Sequence, residues 1–211
     1  MSFEDGAYPF HEVFLIAHSS KLKASEYNVG MVKKVLVIIA REGFQDHELA
    51  GVRKELQLAG FQIVLVSTRS GPCMGKFGSV EQAQIALPDV AVEEFDRTVF
   101  IGGPGALSLV ENEEAKAIAR STVAAGKVLG AICIAPLILA HAGVLKGKRA
   151  TVWDSGTSVT TDRASGGEQA AILKEYGAIY TGEKVTVDGK IVTGNGPMAA
   201  EEFGRVMATL N

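Results

Sequence analysis

The chain reads as an α/β fold: a mostly parallel sheet covered by helices on both faces. Two observations predict it. Short continuous apolar runs at 35–40, 61–67, 98–101 and 128–132 alternate with stretches of helical spacing, and strands apolar on both sides belong to sheets buried on both faces. Residues able to do chemistry follow three of those runs directly, and open α/β sheets place their sites at the carboxyl ends of strands.

Residues 1–30 are mixed in character, have no clear period and end at Asn28-Val29-Gly30. The domain is expected to span 31–211. Met31 is either the native start, which makes 1–30 an extension, or it follows a short element packed on the domain edge. The run 35–40 is the first strand. Leu49, Val52 and Leu56 then share one helical face, and Gly60 ends that helix. A second strand at 61–67 leads into a loop rich in turn residues: Gly71, Pro72, Gly75 and Gly78. The strand at 98–101 runs into Gly102-Gly103-Pro104-Gly105-Ala106. A helix near 113–125, a strand at 128–132, a helix to about 144 and a strand at 149–153 follow. After a helix at 168–177, the segment 185–192 reads as a hairpin turning at Asp188-Gly189. A helix at 199–210 closes the chain.

Composition narrows the function classes. The 211 residues are 47% hydrophobic and carry a net charge of −3 with no basic block, which disfavours nucleic-acid or membrane-surface binding driven by charge. No apolar run reaches the roughly 18 residues of a transmembrane helix. The start, MSFEDGAYPF, lacks the basic and apolar regions of a signal peptide, so a cytoplasmic protein is expected. Cys73 and Cys133 lie far apart and form no CxxC, and in a reduced compartment no structural disulfide is expected.

Cys133 is the most informative residue. It stands where an apolar strand, KVLGAICI, meets a helix-like run, APLILAHAGVL, with small Ala131 and Ala135 two positions to either side. A sharp strand-to-helix turn needs small neighbours there, as in the nucleophile elbow of serine hydrolases. A helix N-terminus beneath the sulfur is expected to favour thiolate; the alternative is a buried cysteine acting as a small hydrophobe. The Gly102–Gly103 loop offers backbone N–H groups to an oxyanion, or is a plain turn. In Phe44-Gln45-Asp46-His47-Glu48-Leu49, Asp46 is the expected N-cap and places Glu48 in the first helical turn. Glu48 is either a surface charge complementing the helix dipole or an acid beside the thiol. His141, eight residues along the helix from Cys133 at roughly 1.5 Å per residue, is too far to serve as its base. Trp153 and Asp154 either wall the pocket or, for Trp153, belong to the core. No metal site is expected, because adjacent helical residues in the Asp46-His47-Glu48 cluster point apart.

Taken in order, these motifs resemble the ThiJ/PfpI family of the class I glutamine amidotransferase-like superfamily, from about Lys33 to Leu210. The resemblance rests on Val35–Ala40 with Phe44–Leu49, on Gly75-Lys76-Phe77-Gly78, on Gly102–Ala106, on Ala131-Ile132-Cys133, and on the later segments 145–151 and 187–197. It implies a flavodoxin-like three-layer sandwich. It also implies Cys133 as nucleophile and redox-sensitive thiol, Glu48 as the acid bonded to it, and an oxyanion site from Gly103 and the N–H of Ile134. Family members are commonly homodimers with the pocket near the subunit interface. Protease-like members place His directly after the cysteine, where Ile134 stands here. Others place one after the elbow helix, where this chain has Thr151-Val152-Trp153-Asp154; Gln45 holds a place that is often acidic. The surviving Cys133–Glu48 pair implies a cofactor-free enzyme for small aldehydes or glycated substrates, of glyoxalase or deglycase type. The alternatives are a redox-sensing or chaperone-type stress protein, and a peptidase, amidase or isonitrile-hydratase-like hydrolase.

Overall fold

Alternation along the first strand builds both cores. Leu36 and Ile38 enter a core on one face of the sheet, while Val35 and Val37 enter a second core on the other. The computed structural model describes residues 32–154 and 167–211; the expected 1–30 extension lies outside them. The elements are β1 (Lys34–Ile38), β2 (Glu42–Phe44), α1 (Asp46–Leu58), β3 (Gln62–Ser67), β4 (Gly71–Gly75), β5 (Val80–Ala83), β6 (Ile85–Ala86), β7 (Arg97–Phe100), α2 (Leu107–Val110), α3 (Glu113–Ala124), β8 (Val128–Ile132), α4 (Pro136–His141), β9 (Arg149–Ala150), α5 (Glu168–Glu175), β10 (Ile179–Tyr180), β11 (Val185–Asp188), β12 (Ile191–Gly194) and α6 (Ala200–Thr209).

Seven strands form the main sheet in the order β11-β12-β8-β7-β1-β3-β6. All neighbours are parallel except the β11–β12 hairpin. Leu49, Val52 and Leu56 of α1 and Ala200, Phe203 and Met207 of α6 cover one face. Side chains of α2, α3, α4 and α5 cover the other. The three-layer, flavodoxin-like sandwich is therefore present. After β1 the chain first builds outward to β3 and then crosses to β7 on the other side, so the sheet's switch point lies between β1 and β7.

Four local expectations change. The segment read as a loop at 71–78 contains β4 and leads into β5; these two pair antiparallel and, with β2, form a separate three-stranded sheet. The expected strand 149–153 is only two residues long and pairs with β10 outside the main sheet. The hairpin turns at Gly189-Lys190, one residue later than Asp188-Gly189, and only Gly189 is left-handed, at φ 60°. That is the II′ arrangement, with Gly first. Asp46 is not the cap of α1: Gln45 is, its side chain accepting from the His47 N–H at 3.4 Å. Asp46 instead accepts from the N–H groups of Phe77 (2.9 Å) and Ser79 (3.0 Å) in the β4–β5 turn.

α6 lies close over β8 and β12 because Gly130 and Gly194 present no side chain to it. A Cβ on Gly130 would come within 2.8 Å of Phe203 Cζ. Phe203 is fully buried there. Phe203→Ala is expected to cost about 3–5 kcal/mol of unfolding free energy, read from urea denaturation; a loss under about 1 kcal/mol would mean that α6 does not depend on this contact.

Candidate functional site

Three strand ends converge on one thiol. β8 delivers Cys133, β7 delivers Gly102 and Gly103, and the segment after β1 and β2 delivers Glu48 in the first turn of α1. Cys133 is the only non-glycine with positive φ among the described residues, at 64°. Its backbone is held on both sides: its N–H donates to Gly194 O at 2.8 Å, and its carbonyl accepts from the Trp153 N–H at 2.8 Å. Ala131 and Ala135 are fully buried around the turn, as an elbow requires.

The glycines make room for the pair. A Cβ on Gly102 would lie 2.5 Å from Cys133 Cβ and 2.8 Å from Glu48 Oε2. Gly103, at φ 101°, would drive a Cβ to 2.6 Å from the Gln45 nitrogen. Gln45 N–H donates to Gly102 O at 2.9 Å, so the glycine loop is tied to the segment that starts α1. This tie is why Glu48 and Gly103 face the same sulfur.

Glu48 is fully buried. Its Oε2 accepts from the Gly102 N–H at 3.0 Å. Its Oε1 meets no hydrogen bond of ordinary geometry among the described residues, yet carboxyl and thiol interact strongly enough for each to move the other's pKa. We take the pair as close neighbours short of a formed thiol–carboxylate hydrogen bond. Burial pushes the Glu48 carboxyl up to about 7; the Cys133 thiol, the Gly102 N–H and the charge of Lys76 pull it back. Burial and then the Glu48 charge push the Cys133 thiol up to about 12, against the N–H groups of Gly103 and Ile134.

Burial and the Glu48 charge thus work against the thiolate expected from a helix N-terminus. Past Ile134 the helix start has no donor to spare: Ala135 N–H bonds Ile132 O at 3.1 Å and Leu137 N–H bonds Ile134 O at 3.0 Å, while Pro136 has no N–H. The arrangement instead lets a thiol proton pass to ionised Glu48 without a change in net charge. The product thiolate would face the Gly103 and Ile134 N–H groups.

The other sequence candidates separate. The Trp153 backbone bonds the elbow, and its ring packs on Gly196, where a Cβ would come within 2.5 Å of Cε3; the side chain is 39% exposed. It lines the elbow rather than filling the core. Asp154 accepts from the Gly167 N–H at the start of α5. His141 contacts Tyr176 and Glu111, and His47 is exposed with its ring against Phe77; neither is bonded to Cys133. His11 and His18 lie outside the described residues. Cys73 and Cys133 are both free thiols. Among the described residues no group of three His, Cys, Asp or Glu could hold a metal, and no helix is long and apolar enough to cross a membrane. A groove of about 580 Å³ between α1 and α6, lined by His47, Lys54, Met198 and Arg205, does not include Cys133; we place the site by the elbow, where the reactive groups converge. Sequence reasoning quoted Lys76 only as part of a turn. It lies well beyond the Phe44–Leu49 motif in the sequence, and no sequence signal joined it to Glu48.

A family profile, DJ-1/PfpI, matches residues 33–210. The chain belongs to the DJ-1/PfpI family. It is 34% identical over 164 residues to a protein of Thermococcus kodakarensis named a deglycase, covering 78% of this chain and 90% of that one. The crystal structure of a ThiJ/PfpI domain protein from Brachyspira murdochii superimposes with a TM-score of 0.75 at 26% identity, covering 83% of this chain and 94% of the other. Drosophila melanogaster DJ-1beta gives a TM-score of 0.72 at 28% identity, covering 84% and 89%.

A carboxyl raised by burial carries a pH signature. Between the ordinary 4.5 and about 7 the native protein keeps a proton on Glu48 that the unfolded chain has lost. Stability from this group is therefore full below about 4.5 and falls as pH rises toward 7, on the order of 3 kcal/mol in all. Glu48→Gln is expected to flatten that slope in urea denaturation at pH 5, 6, 7 and 8. Parallel slopes in the two proteins would refute the assignment.

Proposed function

We propose that the protein is a cysteine-dependent enzyme acting on small reactive carbonyls, of the glyoxalase or deglycase type. The observation that carries this reading is the buried pair itself: a thiol at a strained elbow beside a buried carboxyl raised to about 7. A group of that pKa is suited to general acid–base work near neutral pH. The deglycase name of the Thermococcus kodakarensis relative supports the same class.

For methylglyoxal, ionised Glu48 takes the Cys133 proton as sulfur attacks the aldehyde carbon. A C–S bond forms, and the carbonyl oxygen becomes an oxyanion beside the N–H groups of Gly103 and Ile134. Protonation of that oxygen completes a hemithioacetal. Glu48 then moves a proton from the former aldehyde carbon to the ketone carbon through an enediol. The first carbon is oxidised to a thioester and the second reduced to a carbinol. Water breaks the C–S bond, releases lactate and restores the thiol. Deglycation uses the same groups: attack at the carbon bearing the adduct, followed by release of the amine or thiol. No metal or cofactor enters either sequence. A homodimer in the cytoplasm is the setting we propose for it.

A redox-sensing role draws less support from this site. Peroxide reacts with thiolate, and sensor cysteines are low-pKa and accessible, whereas Cys133 is 6% exposed with its thiol pushed up to about 12.

Methylglyoxal loss without glutathione tests the proposal, with lactate as product. Cys133→Ala is expected to abolish turnover. Glu48→Gln is expected to lower kcat/KM by about 10²–10⁴-fold and to remove a rise in activity through about pH 7, where Glu48 ionises. Full activity in Cys133→Ala, or no turnover in the wild type, would sink it.

A further inference from the structure

The β4–β5 turn brings a cation to the site that neither the elbow nor the acid–base pair requires. Lys76 N–H donates to Phe44 O at 2.8 Å. The Phe44–Gln45 backbone is the surface against which Gly103 packs: a Cβ on Gly103 would lie 2.8 Å from the Phe44 carbonyl carbon. The Gly103 N–H is in turn directed at the Cys133 sulfur. Lys76 is thus joined to the reacting thiol through two backbone contacts.

The turn is rigidly held. Asp46 binds it through the Phe77 and Ser79 N–H groups. The Phe77 ring lies against His47 with centroids 5.2 Å apart, and Lys76 Nζ sits 5.2 Å from the Phe77 centroid. The side chain is exposed, yet no ion pair with a carboxylate holds its charge among the described residues. Asp46, the α1 carboxylate that reaches this turn, pairs with backbone N–H groups instead. Lys54, by contrast, is paired with Glu201, Lys116 with Glu113 and Lys148 with Asp188. The Lys76 charge is also felt at Glu48. A cation at a site's edge with no carboxylate of its own is available to a ligand.

We propose that Lys76 selects carbonyl substrates bearing a carboxylate or similar anionic group by pairing with that group at the edge of the Cys133 site. The inference deepens the carbonyl-enzyme reading by naming a substrate class. For such a compound the covalent steps are those already described, and Lys76 exchanges no proton.

Alkylation of Cys133 tests the charge selection without needing turnover. Iodoacetate and iodoacetamide attack the same thiol and differ in charge, so their rate ratio cancels changes in thiol ionisation. Site-resolved mass spectrometry separates Cys133 from Cys73. Lys76→Gln is expected to lower the iodoacetate-to-iodoacetamide ratio about threefold, Lys76→Glu to lower it further, and Lys76→Arg to retain it. Added salt should lower the wild-type ratio. An unchanged ratio in both the Gln and Glu variants would overturn the proposal, whatever their absolute rates. A second arm compares methylglyoxal with 4,5-dioxopentanoate, an α-oxoaldehyde with a distal carboxylate. Lys76→Gln should reduce kcat/KM for the carboxylated compound selectively; equal losses for both would count against selection. If the wild type turns over neither aldehyde, the carbonyl chemistry fails while the alkylation ratio still decides the role of Lys76.

Discussion

Cys133 holds a left-handed backbone at φ 64°, a conformation that costs a side-chain-bearing residue about 1–2 kcal/mol. The geometry of the site depends on how that cost is met. The peptide groups on either side of Cys133 are bonded to Gly194 and Trp153, segments that reach the elbow from different parts of the chain. Relaxing φ would break both bonds in a buried place, and a buried unpaired peptide group costs about as much as the strain or more. The sheet therefore holds the turn, and the turn places the sulfur beside Gly102, Gly103 and Glu48. A left-handed residue inside a fully bonded framework is one way folds keep strain at a reactive position.

Desolvation follows from that placement and governs the electrostatics. Both acids sit where water is excluded, so both prefer their protons, and each charge would penalise the other. A site built to store a thiolate would need more donors around sulfur than two backbone N–H groups. On the proposed reading the thiolate would form as Glu48 becomes neutral, which keeps the buried charge constant through proton transfer. The unsatisfied Glu48 Oε1 fits that arrangement: a carboxyl saturated with hydrogen bonds would have a depressed pKa and would be a poor base.

Much of this was legible in the sequence, for identifiable reasons. The strands announced themselves because parallel strands buried on two faces need continuous apolar runs, and the small residues at 131 and 135 marked the elbow because no larger side chain fits there. Glycine at 102 and 103 signalled close approach, though not what approached. Other features depended on partners distant in sequence. Asp is a strong N-cap, yet Asp46 is drawn away by two N–H groups some thirty residues on, leaving Gln45 to cap α1. Residues 149–153 look like a strand because Ala150, Thr151 and Val152 are buried, but past Ala150 the Trp153 N–H goes to the elbow rather than to a ladder. What pushes the Cys133 thiol up could not be read from a helix start, since it depends on burial and on the Glu48 carboxyl brought beside it.

The small β2–β4–β5 sheet shows how such a fold separates two tasks. Strand ends of the main sheet fix Cys133, Glu48 and the Gly102–Gly103 backbone, and each is held by burial or by main-chain hydrogen bonds. The β4–β5 turn touches the same site from outside the main sheet, through the Phe44 carbonyl and the Asp46 carboxylate, and its outward side chains at 76 and 77 are exposed. Substitutions at 76 and 77 leave the hydrogen bonds to Phe44 and Asp46 in place, because these two residues contribute only their backbone N–H groups. Charge and shape at 76 and 77 can thus vary without disturbing the strained elbow, so on the proposed reading selectivity would sit in the turn and chemistry at the strand ends.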